Sequence, residues 1–123
     1  MTAALSPDLA IAYVRELSAD VRAAAVLGSD GARLAGPVGL AAPARELLAA
    51  LGDASQATVR RPTGVVVAAR GPEHSLVAVA GPLALSGPLL LDARAAVGAA
   101  ADGSVAPPSA ALETAADGAI GAL

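Results

Sequence analysis

The 123-residue chain has no cysteine, lysine, asparagine, tryptophan or phenylalanine, and one each of histidine, glutamine, methionine and tyrosine. Each absence removes a class of chemistry. Without cysteine there is no disulfide frame, no thiolate nucleophile and no cysteine zinc site. Without lysine there is no phosphate-loop lysine, no Schiff base and no lysine general base. One histidine does not build a multi-histidine metal site. One aromatic residue leaves no stacking platform for bases. All eight basic residues are arginine, against eleven acids, for a net charge of −3. So acidic a chain has a weak phosphate footprint, and no nucleic-acid partner is expected.

What is present is apolar and small. Hydrophobic residues make up 55% of the chain, yet 35 of them are alanine. Alanine buries little area, so the core falls to 17 Leu, 12 Val and two Ile. That supports one modest domain, and a core so thin favours oligomerisation. No basic residue precedes Asp8, which argues against a secretory signal. The charge-free run Ser75–Leu91 is broken by Gly81, Pro82, Gly87 and Pro88 and is short for a membrane span. A cytoplasmic protein without membrane insertion is expected.

Local signals place the elements. Ser6-Pro7-Asp8 opens a helix to about Ala19, with Leu9, Tyr13, Val14 and Leu17 on its apolar face. Val21–Leu27 reads as a strand, Gly28-Ser29-Asp30-Gly31 as a hairpin turn and Ala32–Ala35 as the return. A second helix is expected from about Ala42 to Leu51, with Pro43 in its first turn and Gly52 closing it. Ala44, Leu47, Leu48 and Leu51 are its apolar stripe. Three strands follow at Gln56–Arg61, Gly64–Arg70 and Ser75–Ala80, joined by turns short enough to make them antiparallel. The last two are apolar on both faces, so helices of this chain or of a partner should cover both sides of the sheet. Pro88 opens a third helix to about Ala101. From residue 103 the chain reads as an Ala/Pro-rich tail, with an optional short helix over Ser109–Leu123.

No catalytic constellation emerges. There is no Gly-x-Ser-x-Gly elbow and no glycine-rich phosphate loop. Asp30 is explained by its turn. His74, beside Glu73, reads as a solvated loop histidine. Arg60, Arg61 and Arg70 form the one basic cluster, either guarding an edge strand or meeting an acidic partner surface. Arg45 reads as a helix-surface or interface arginine before an arginine finger.

The order helix, hairpin, helix, three antiparallel strands, helix resembles the Roadblock family, the dynein light-chain type of small-GTPase-associated domain. The residues that carry the resemblance are Val21–Ala35 with its Ser29-Asp30-Gly31 turn, Gly64–Arg70, Ser75–Ala80 and the last helix. It spans roughly Leu5 to Ala101. It implies an α+β fold, a profilin-like five-stranded antiparallel sheet with helices on both faces, in a domain over residues 5–102 ahead of a tail over 103–123. It also implies a non-catalytic homodimer that regulates or scaffolds a small Ras-like GTPase in bacterial signalling, in some cases alongside a sensor kinase. No cofactor, metal or catalytic residue is expected. Arg45, Leu47, Leu48 and Ala49 of the second helix, with Thr58 and Arg60 of the third strand, would form the dimer or partner interface. The alternative is a small-molecule sensor on the same kind of sheet. It needs a cavity with a few convergent polar groups, and a water-lined crevice gathering His74 and several carboxylates would argue against the scaffold reading.

Overall fold

Val65-Val66-Val67-Ala68-Ala69 and Leu76-Val77-Ala78-Val79 place apolar side chains on both sides of a strand, because successive residues point to opposite faces. A sheet built from them requires cover above and below. A computed structural model, which describes residues 4–100 and 103–123, shows how the chain supplies it. The elements are α1 (Pro7–Leu17), β1 (Val21–Gly28), β2 (Arg33–Ala35), α2 (Val38–Ala50), β3 (Gln56–Arg61), β4 (Gly64–Arg70), β5 (His74–Ala80), α3 (Ser86–Val97) and α4 (Ala110–Gly121). The strands form one antiparallel sheet in the order β2-β1-β5-β4-β3. The fold is α+β, with helices on both faces.

The alternation of each strand sorts the core into two layers. Ala24, Val26, Val65, Val67, Leu76 and Ala78 face α1 and α3, where Ala10, Val14, Leu89, Ala93 and Val97 close over them. Ala25, Leu27, Val59, Val66, Val77 and Val79 face α2 and α4, where Leu40, Ala44, Leu47, Leu112 and Ala116 do the same. Burying each valine or leucine contributes about 1.5–3 kcal/mol. The cover on both sides comes from this chain's own helices.

Several boundaries differ from the sequence reading. α2 begins at Val38, so Pro43 lies inside the helix and not in its first turn. The proline lacks the N–H its position calls for. Burial of Leu40 and Ala41 in the extra turn offsets that loss. α3 begins at Ser86 and stops at Gly98, whose left-handed backbone (φ 67°) ends it early. The Ala101 limit expected for that helix lies outside the described residues. On α1 the buried residues are Ala10 and Val14, while Leu9, Tyr13 and Leu17 turn outward. The segment expected as a tail enters the core through α4. Its start is capped by the Ser109 Oγ, which accepts from the Leu112 N–H at 3.1 Å. No helix among the described residues is long and apolar enough to cross a membrane.

Gly71 stands where the β4–β5 turn passes under the end of α3, and a Cβ there would overlap the carbonyl oxygen of Val97. Gly71→Ala is expected to lower stability by about 3 kcal/mol, read as the shift of the urea midpoint, because backbone atoms must move apart.

Candidate functional site

The residues expected at an interface do not form one open surface. Leu47 is fully buried on the inner face of α2 and offers nothing to a partner. Leu48 is half-buried, and Arg45 and Ala49 are exposed. Thr58 and Arg60 are exposed on β3. Between the two groups lies α4, which packs along α2 and over β3 and β4. A groove between α2 and α4 is lined by Glu46, Ala49, Ala110 and Thr114. Another, between β3 and α4, is lined by Thr58, Arg60, Pro108 and Leu112.

The outer edge of β3 is partly taken. The Gln56 N–H donates to the Ser104 carbonyl at 3.1 Å, and the Gln56 carbonyl accepts from the Ala106 N–H at 2.8 Å. Val105 thereby pairs with Gln56 as a single parallel bridge. Pro107 and Pro108 then end the pairing, since proline has no N–H to give. Outward-facing backbone recurs every second residue, which leaves Thr58 and Arg60 presenting unpaired edge groups. The opposite edge strand, β2, has three residues and little to offer.

The basic cluster of the sequence reading is dispersed. Arg60 donates to the carbonyls of Pro82 (2.9 Å) and Ala84 (2.8 Å). Arg61 reaches across to α4, pairing with Glu113 at 2.9 Å and with Asp117 at 2.8 Å. The hydrogen bond to Asp117 raises the Arg61 guanidinium above its ordinary value. Arg70 donates to the carbonyls of Leu48, Gly52 (2.6 Å) and Ala54 (2.7 Å), satisfying the C-terminal end of α2. Arg45 donates to the Gly31 carbonyl at 3.1 Å and ties α2 to the first hairpin turn.

His74 corrects another expectation. It is the first residue of β5, only 7% exposed, and its enclosed Nε2 has no hydrogen-bond partner. It lines a cleft of about 450 Å³ between the β1–β2 turn, the end of α2 and the β4–β5 turn. Asp30, Glu73, Arg45 and Arg70 line the same cleft. The volume is that of a small-molecule pocket. Asp30 is held by its own turn, its Oδ1 accepting from the Ala32 N–H at 3.0 Å. Among the described residues no three His, Asp or Glu side chains gather to hold a metal ion.

The sequence reading also missed a surface. Leu9, Tyr13 and Leu17 stand side by side on the outer face of α1, exposed at 59%, 36% and 54%, and with Leu5 they line an almost wholly apolar groove of about 300 Å³. Their helical spacing was the available signal. Spacing alone groups them with Val14 on one face, whereas the sheet takes Val14 and Ala10 and leaves these three outside.

With this geometry in place, the fold has a solved counterpart. The chain is similar to the crystal structure of the Roadblock/LC7 domain from Streptomyces avermitillis, at 24% identity and a TM-score of 0.60, over 74% of this chain and 94% of that one. The chain therefore has the Roadblock/LC7 fold. No family model and no curated protein sequence matches it.

Arg70→Ala leaves three carbonyls at the end of α2 without their charged donor. The expected loss is about 2 kcal/mol of stability by thermal melting, with little rescue by Arg70→Lys, which lacks the planar fork.

Proposed function

We propose that this chain is a non-catalytic, homodimeric interaction domain that regulates or scaffolds a small Ras-like GTPase. The GTPase role follows the Roadblock resemblance and the fold. The observation that carries a protein-binding role is the outward apolar stripe of α1. Three large side chains over adjacent turns of an otherwise well-packed helix are left to water. Such a stripe on a small domain marks a contact surface. Glu16 lines the groove, with Asp8 and Arg15 further round the helix, so the stripe fits a partner with an apolar strip of its own. The dimeric part rests on the unpaired edge of β3 at Thr58 and Arg60.

A second reading is supported by the cleft at His74. A small molecule held there would make the domain a sensor, with Arg45 and the two carboxylates of Asp30 and Glu73 as polar contacts. Its test is a thermal-shift screen of small carboxylic and amino acids, repeated with His74→Ala.

For the main reading, the protein is purified from its native host with any bound GTPase, and GTP hydrolysis is followed with and without it. The expected result is a GTPase whose hydrolysis or retention depends on this domain. Leu9→Ser with Leu17→Ser should abolish that dependence while leaving the circular dichroism spectrum unchanged. Retained binding in the double variant would overturn the role of the stripe. Sedimentation showing only monomer at micromolar concentration, in the wild type and in a variant whose α4 is open, would overturn the homodimer.

A further inference from the structure

We infer that residues 103–123 are a displaceable cover on this chain's own self-association surface, and that a second copy of the chain takes their place. The inference rests on the dimeric reading above and adds how dimerisation would be controlled.

The edge shows the conflict. Gln56, Thr58 and Arg60 are the outward-facing positions of β3. A second β3 adding antiparallel across a two-fold axis at Thr58 would use all three, with Thr58 opposite Thr58 and Arg60 opposite Gln56. That register sets no arginine at position 60 against its own copy, which a register centred on Arg60 would do. It needs the N–H and carbonyl of Gln56. Both are held by Ser104 and Ala106 of the C-terminal segment. The strand of the tail and a complete second strand are mutually exclusive.

The face shows the same exclusion. α4 lies over β3 and β4, with Ile120 against Gly64 at their turn. A second copy brought to the β3 edge meets α4 first.

The cover is also built to lift. Apart from Leu112, the residues α4 fully buries are alanines, Ala115, Ala116 and Ala119, with Ile120 half-buried against the same core. Gly118 and Gly121 weaken the helix itself. Its outer anchor is Arg61 with Glu113 and Asp117, whose carboxylate side chains are half exposed. Arg61 holds Asp117 through two parallel bonds and Glu113 through one, and pairs this exposed yield to salt. What α4 hides does not yield: Ala57, Val59, Val66 and Ala68 are apolar, and once uncovered they need another cover. A second copy joined at the β3 edge continues the sheet and sets its own α2 side beside that face, from which side chains reach over it.

The test uses the full chain. Glu113→Lys with Asp117→Lys turns both ion pairs into repulsions at exposed positions. Hydrogen exchange reports whether the α4 amides open, and sedimentation equilibrium gives the dimer dissociation constant. The expected result is faster exchange in α4 and a dimer about tenfold tighter than wild type, the scale of two weak surface pairs reversed. Adding Thr58→Pro, which removes an edge N–H, should cancel the gain. Opened α4 amides with an unchanged dissociation constant would overturn the cover. If the charge reversal leaves α4 closed, Ala116→Asp, which forces a carboxylate under the helix, is read by the same two measurements. A wild-type chain already fully dimeric with α4 protected would overturn the cover and keep the dimer. A chain monomeric in every variant, with α4 open, would overturn both.

Discussion

The structure depends on a sheet that is apolar on both faces. β4 and β5 carry valine, leucine and alanine without alternation, so neither side can be left to water. Everything else arranges itself around that demand. α1 and α3 close one face, and α2 and α4 the other. The same demand explains the burial of His74, which the pairing of β5 with β1 draws inside opposite Gly28.

Alanine makes this cover possible with few large residues. A strand of alanines such as Ala23-Ala24-Ala25 is thin, and helices settle close to it. The same economy leaves little depth in any one contact. The face over β3 and β4 is completed by a helix that contributes one leucine and three alanines to the buried layer. That part of the core rests mostly on small side chains, and it lies beside the longer of the two sheet edges. A cover of small side chains and an open edge adjoin there, which is why the proposed second copy is set at this corner.

The arginines serve structure before chemistry. Arg60 and Arg70 spend their donors on backbone carbonyls, and Arg61 on two carboxylates. Each bridges elements distant in sequence, which a planar fork of donors suits better than a lysine ammonium. A row of cations that reads as a binding patch is therefore a set of clasps. What stays open is the apolar outer stripe of α1 and the unpaired backbone edge of β3.

Much of the fold was legible in the sequence. The bounds of β3 and β4 follow from turn residues and β-branched runs, the hairpin from Ser29-Asp30-Gly31, and the two-sided cover from the missing alternation, because these are local properties of a short stretch of chain. Other features were decided only in three dimensions. The sequence marked a possible helix near Ser109 and could not say that it would pack between α2 and β3. Nor could it say that Leu9, Tyr13 and Leu17 would face outward while Ala10 and Val14 faced in. A helical stripe shows which residues share a side, but which side the sheet claims depends on how closely each helix settles. That distance is set by side chains far away in the sequence.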